Sequence, residues 1–149
     1  MLPFIGIFLS VYLLDLVTKM AVRARMTEGA EIHILPFFSL VHVKNTGIAF
    51  GLFQDRNTLF IALGVAVMAT LLVYAYRLLH RDRFTSLVLA GVLGGALGNM
   101  TDRVLHGAVT DFLDFYWGAH HWPSFNIGDS AICVGAALLF WSSFRCSRS

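Results

Sequence analysis

Asp102, Asp111, Asp114 and Asp129 fall in one stretch between Gly94 and Ser130, GGALGNMTDRVLHGAVTDFLDFYWGAHHWPSFNIGDS. Asn99, Arg103 and Asn126 stand among them, and runs apolar enough to enter a bilayer lie on both sides. Ionisable groups at membrane depth are expensive, so a cluster of them marks a candidate functional site. Two carboxylates a few ångströms apart cannot both ionise easily. One proton affinity rises, the other falls, and the pair holds a single proton. The ionised member can then take a proton from water while the protonated one polarises a carbonyl. That is amide hydrolysis with neither metal nor nucleophilic side chain, and we expect Asp111 and Asp129 to be the pair. Asp129 falls in the first turn of a predicted helix, where the macrodipole favours negative charge, and Asn126 is placed to cap it. Asp111 sits in the apolar AVTDF context, which favours its neutral form. Asn99, Arg103 and Asn126 would supply donors to substrate carbonyls and fix the aspartates. The plain structural alternative makes Asp129 a capping residue and pairs Asp111 with Arg103.

Composition says what must hold these residues. Hydrophobic residues make up 57% of the 149 and charged ones 13%, against about 25% charged in an ordinary soluble domain. A soluble domain of this size could not hide so much apolar surface. The chain reads as one integral membrane domain, residues 1–149. A net charge of +2, with no basic patch interleaved with aromatics, excludes a nucleic-acid partner. Cys133 and Cys146 fall on one predicted helix, about 20 Å apart at 1.5 Å per residue, beyond disulfide reach. No CxxC or HExxH spacing announces a metal, no cofactor is expected, and the adjacent His120 and His121 read as solvated loop residues.

Four transmembrane spans are predicted, over about residues 2–22, 59–79, 84–100 and 127–144, with polar regions at 23–57 and 101–126. Residues 2–22 lack the leading positive charge and cleavage motif of a signal peptide, so they read as a span that stays. Asp15 and Lys19 interrupt this span at i,i+4, either as a self-neutralising pair with Lys19 snorkelling or as a brace for a polar site. In the first polar region, IHIL, FSLVHV and IAFGLF predict a small strand-containing subdomain. Asn45 and Gly47 in KNTG suit a tight turn, from which Asn45 can present its amide to an extended peptide. Gly91, Gly94, Gly95 and Gly98 mark a helix-packing face on the third span. AVTDFLDFYW is too short to span and reads as an interfacial or re-entrant segment, with Tyr116, Trp117 and Trp122 at headgroup level. The fold class is therefore all-α and membrane-embedded, four helices with a small extracytoplasmic strand-containing subdomain. Arg77, Arg81 and Arg83 beside the short 78–83 connector, with Arg145 and Arg148 at the end, place that side and both termini in the cytoplasm. Lys44, Arg56 and the basic end of the first span oppose this reading, but their loop is longer and partly offset by Glu28, Glu31 and Asp55.

LDLVTK, KNTGIAFG, GGALGNMTDRVLHGAVTDFLDFY and FNIGDSAICVGAAL, in this order over nearly the whole chain, resemble the motif set of the bacterial lipoprotein signal peptidases, signal peptidase II. The resemblance implies an aspartic peptidase of the bacterial inner membrane, with its active site at the periplasmic face. Its substrates are lipid-modified prolipoproteins in contact with membrane lipid, cut just before a diacylglyceryl cysteine. It implies catalytic roles for Asp111, in the V-x-D-F-like motif, and Asp129, in the F-N-x-A-D-S-like one. It further implies substrate-binding or supporting roles for Asp15, Lys19, Asn45, Gly47, Asn99, Arg103 and Asn126. Asp114 recurs in some members and is left as a supporting or interfacial residue. Gly128 stands where the family usually carries alanine, Thr110 where it carries valine, and Ile48 where it carries a small residue. We expect Gly128 to loosen the start of the last helix and Ile48 to alter a substrate-facing contact. Two rivals from other classes are a metal-dependent membrane transferase using Asp102, Asp111, Asp114 and Asp129 as ligands, and a small transporter using the charges as an ion path.

Overall fold

The computed structural model describes residues 1–47 and 56–146, with the backbone alone for 145 and 146. Four long helices and a small sheet account for most of it: α1 (Leu2–Arg25), β1 (Glu31–Leu35), β2 (Phe38–Asn45), α2 (Asn57–Leu78), α3 (Arg83–His106), β3 (Val109–Trp117), β4 (His120–His121) and α4 (Ile127–Cys146). All four helices are long and apolar enough to cross a membrane.

Local chemistry explains the helix ends. Pro3 sits in the first turn of α1, where its missing N–H is not needed, and Arg23 and Arg25 occupy the last turn, where cations favour the dipole. Asp82 caps α3 by accepting the Thr85 N–H at 3.0 Å. Gly107, in the left-handed region at φ 74°, ends α3. Asn126 caps α4 through the Asp129 N–H at 2.9 Å.

α3 is the central helix, packing against α1, α2 and α4, and it is the most buried of the four. Its glycines explain how. A Cβ at Gly94 would lie 2.6 Å from the Phe8 carbonyl oxygen of α1, and one at Gly95 would lie 2.5 Å from the Gly128 carbonyl oxygen of α4. A Cβ at Gly98 would run into the Asp15 carboxylate. The small-residue face predicted from sequence is thus the seam where three backbones meet, which is how helices gain contact in lipid. Gly91 alone of the four expected residues meets nothing closer than Ile7, at 3.8 Å.

The strands form one antiparallel sheet in the order β1-β2-β3-β4. IHIL and FSLVHV are strands as expected, whereas IAFGLF and Ile48 lie outside the described residues. The segment expected to be interfacial or re-entrant is instead β3, the inner strand paired with both β2 and β4. Its alternation is hidden because Val109, Thr110, Asp111 and Phe112 are buried in succession, as happens when both faces of a strand are covered. α3 also runs six residues beyond the expected end of the third span and carries Arg103 on its last turn. The sheet hangs at one end of the bundle. Met1, Pro3, Leu79, His80 and Arg83 line a small cavity together at the other.

Candidate active site

β2 and β3 set the first pair of side chains. Val43 pairs with Asp111 and Asn45 with Val109, so Asn45 and Asp111 share a face and sit diagonally across the ladder, within side-chain reach. Asn45 Nδ2 donates to Asp111 Oδ2 at 2.9 Å, and its Oδ1 accepts the Gly47 N–H at 3.0 Å, closing the expected turn. Asn126 Nδ2 donates to the other oxygen, Asp111 Oδ1, at 2.7 Å. Both oxygens of a carboxylate that is only 1% exposed are therefore held, one from the sheet and one from the start of α4.

Asp129 is held from the helices. Its Oδ1 accepts Asn99 Nδ2 at 2.8 Å; Asn99 Oδ1 in turn accepts Lys19 Nζ at 2.7 Å. Lys19 also bonds Asp15 Oδ2 at 2.7 Å, and Asp15 Oδ1 accepts the Gly128 N–H at 2.7 Å. The bonds thus run from α4 through α3 and α1 back to α4, closing a ring beside Asp129. Of the two readings of Asp15 and Lys19, the brace holds. Lys19 is fully buried and does not snorkel, and a buried charge of this kind persists only when paired and bonded. Gly128 lies where α4, α3 and α1 meet. Its N–H is bound by Asp15 and a Cβ there would lie 2.8 Å from the Gly95 carbonyl oxygen.

Arg103, assigned to Asp111 in the structural alternative, donates instead from Nη2 to the Gly47 carbonyl at 2.6 Å and lies 4.9 Å from the Phe60 ring centroid. Asp102 and Arg23 form an anchor that sequence reasoning missed. Arg23 Nη1 donates to Asp102 Oδ1 and Thr110 Oγ1, both at 2.8 Å, and Asp102 Oδ2 accepts the Thr110 N–H at 2.8 Å. Thr110, next to Asp111, is thereby tied to α1 and α3. The signal was present: Arg23 continues the Asp15, Lys19 face at i+8 once α1 is extended past residue 22. His121, expected to be solvated, places Nδ1 2.8 Å from Asp114 Oδ2.

Asn45, Gly47, Asn99, Arg103, Asp111 and Asp129 line one cavity of about 1000 Å³, walled on other sides by Val41, Val43, Val109 and Phe125. Burial raises the proton affinity of Asp111 most, and the charge of Asp129 raises it further, while the bonds from Asn45 and Asn126 oppose the shift. Its pKa is pushed up to about 7. Among the described residues, no three His, Cys, Asp or Glu side chains gather closely enough to hold a metal ion. Asp102 is committed to Arg23 and Thr110, and Asp114 to His121. The four-aspartate ligand set of the transferase rival is not assembled.

The profile of a family described as signal peptidase (SPase) II matches residues 7–145. The lipoprotein signal peptidase of Burkholderia thailandensis is 46% identical over 96% of this chain and 88% of its own. That of Vibrio cholerae is 39% identical over 99% and 90%. Two solved structures described as bacterial membrane enzymes superimpose with TM-scores of 0.86 and 0.80, each at 30% identity. They cover 97% and 93% of this chain, and 88% and 90% of their own. Matched along nearly its whole length in sequence and fold, the chain belongs to the signal peptidase II family.

Proposed function

We propose that the chain is an aspartic endopeptidase that removes the signal peptide from prolipoproteins just before a diacylglyceryl-modified cysteine. The observation that supports this reading is that Asp111 and Asp129 line one cavity, where burial of Asp111, and next the charge of Asp129, push the Asp111 pKa up to about 7. Asp129 starts ionised, in the first turn of α4 and bonded by Asn99. It takes a proton from water as the water oxygen attacks the scissile carbonyl, and Asp111 gives its proton to the carbonyl oxygen. As the tetrahedral diol collapses, the C–N bond breaks, the leaving amine takes the proton from Asp129, and a diol hydroxyl returns one to Asp111, so the pair regains its single proton and starting charge. One water is consumed, and no metal or cofactor takes part. Asn45, Gly47 and Arg103 form the wall that receives the extended peptide, while Asn126 fixes Asp111. Asp15, Lys19 and Asn99 hold the end of α4 that carries Asp129.

The same reading places the protein in the bacterial inner membrane, with both termini cytoplasmic and the sheet and cavity at the periplasmic face. The test is cleavage of a lipidated prolipoprotein by purified protein, followed by mass measurement. Asp111→Asn and Asp129→Asn should each reduce the rate by at least about a thousandfold, the scale of losing an essential acid or base, in protein that still inserts and folds. Chelator should leave the wild-type rate unchanged. Full activity in either variant would sink the pair, and loss with chelator restored by magnesium would promote the metal-dependent rival.

A further inference from the structure

Away from Asp111 and Asp129, the rim of the cavity carries a carboxylate–imidazole pair. His121 Nδ1 lies 2.8 Å from Asp114 Oδ2, with the Asp114 side chain 8% exposed and that of His121 50%. Both residues line the same cavity. The pair spans the joint between β3 and the chain that returns to α4. That joint is slight: β4 is only His120 and His121, paired with Trp117 and Tyr116. Beyond it, the Trp122 N–H donates to the Phe115 carbonyl at 2.8 Å, and Phe125 exchanges backbone bonds with Leu113 at 2.8 and 3.1 Å. A two-residue strand contributes little stability by itself. The side chains supply what the ladder lacks, since the Tyr116 ring stacks on His121 at 5.0 Å and the Tyr116 hydroxyl donates to the Leu35 carbonyl at 3.2 Å. The next residue after Phe125 is Asn126, which binds Asp111 and caps α4.

We propose that Asp114 and His121 form a positioning pair for the peptidase reaction, holding residues 121–125 against β3 and so setting where Asn126 meets Asp111. The proposal rests on the reading of Asp111 and Asp129 as the reacting pair. Asp114 fixes the ring by accepting from Nδ1, which selects its tautomer and orientation. The effect reaches the reacting groups through residues 122–126. Loosening that segment weakens the Asn126 bond that favours ionised Asp111. The other groups acting on Asp111, namely Asn45 on β2, Arg103 on α3, Lys19 on α1 and Asp129 on α4, keep their places.

The experiment uses the full chain in detergent with a lipidated prolipoprotein, measuring kcat, KM, the pH profile and the unfolding temperature. Asp114→Ala and His121→Ala should each lower kcat about tenfold, in keeping with a small misplacement of a reacting group. The double variant should be no worse than the poorer single, because one linkage is broken in all three. Asp114→Asn keeps an acceptor oxygen and His121→Asn keeps a donor near Nδ1, so both should stay within about threefold of wild type. In the alanine variants the alkaline limb of the pH profile should move to higher pH, which a smaller folded fraction cannot produce. A lower kcat with an unmoved limb and a lower unfolding temperature would overturn the proposal, as would wild-type kinetics in both alanine variants. If an alanine variant fails to fold, His121→Gln decides, since its amide lies beyond the Nδ1 position: a moved limb supports the pair and an unmoved one overturns it. Asp111→Asn is run alongside. If it cleaves, the reacting pair itself is wrong, whatever His121 does.

Discussion

The side-chain amide of Asn126 works in two directions at once, its oxygen capping α4 and its nitrogen holding Asp111. Asp111 is thus fixed relative to the helix that carries Asp129. The consequence can be read in pH. In the proposed mechanism Asp111 must hold a proton to polarise the scissile carbonyl, and burial raises its pKa to about 7. Activity should therefore be present below that point and fall as pH rises through it, with the pair titrating as a unit. A profile of kcat/KM that stays flat to pH 9, about two units above the expected limb, would contradict this assignment. At this scale much was legible. Asp15 and Lys19 announced each other by spacing, and Asn126 announced itself as a cap. What the spacing of one chain does not carry is the partner on another element. Asp102 was visible as a charge but not as the anchor of Thr110, because that role needs Arg23 from α1 and the Thr110 N–H from β3.

Among the elements, α3 sets the spacing of all the others. Gly98 faces the Asp15 carboxylate, which cannot swing aside while Lys19 and the Gly128 N–H hold it. Gly98→Ala should cost about 1–3 kcal/mol of stability, the usual range for overpacking. It should also lower cleavage by disturbing the ring of bonds beside Asp129. Gly91→Ala, meeting only Ile7 at 3.8 Å, is the matched control and should be neutral. Unfolding temperatures and cleavage rates of the two variants check this, and equal behaviour would argue against the seam. Four helices could be read from hydropathy alone, and β1 and β2 from their β-branched and aromatic runs. β3 could not be read in the same way. A strand covered on both faces loses its alternation, and its ten-residue apolar run beside two membrane spans imitates a membrane segment.

The whole molecule is a bundle with chemistry at one end, and this arrangement makes two predictions. The 78–83 connector should be cytoplasmic and the sheet periplasmic. In a variant lacking Cys133 and Cys146, Arg81→Cys should resist an impermeant thiol reagent applied from outside the membrane, and external labelling would reverse the topology. The second prediction concerns the substrate's lipid. Each buried methylene contributes on the order of 0.8 kcal/mol to membrane attachment, and holding the scissile bond at the depth of the aspartates lowers the barrier by several more. An unlipidated precursor should be cut very poorly even at concentrations that saturate with the lipidated form. Equal time courses for the two in one detergent would mean the lipid is not recognised. The brace within α1 has a further consequence, for the order in which the protein is made. Asp15 and Lys19 leave the ribosome long before Asn99 and Gly128 exist to receive them. A lone charge at the centre of a span resists insertion by about 2.5–3.5 kcal/mol, yet these two lie 2.7 Å apart on a single helix. At i,i+4 on one helix, each offsets the charge of the other without help from another span. The first span therefore carries its own charge compensation, half of the brace that the third and fourth spans complete.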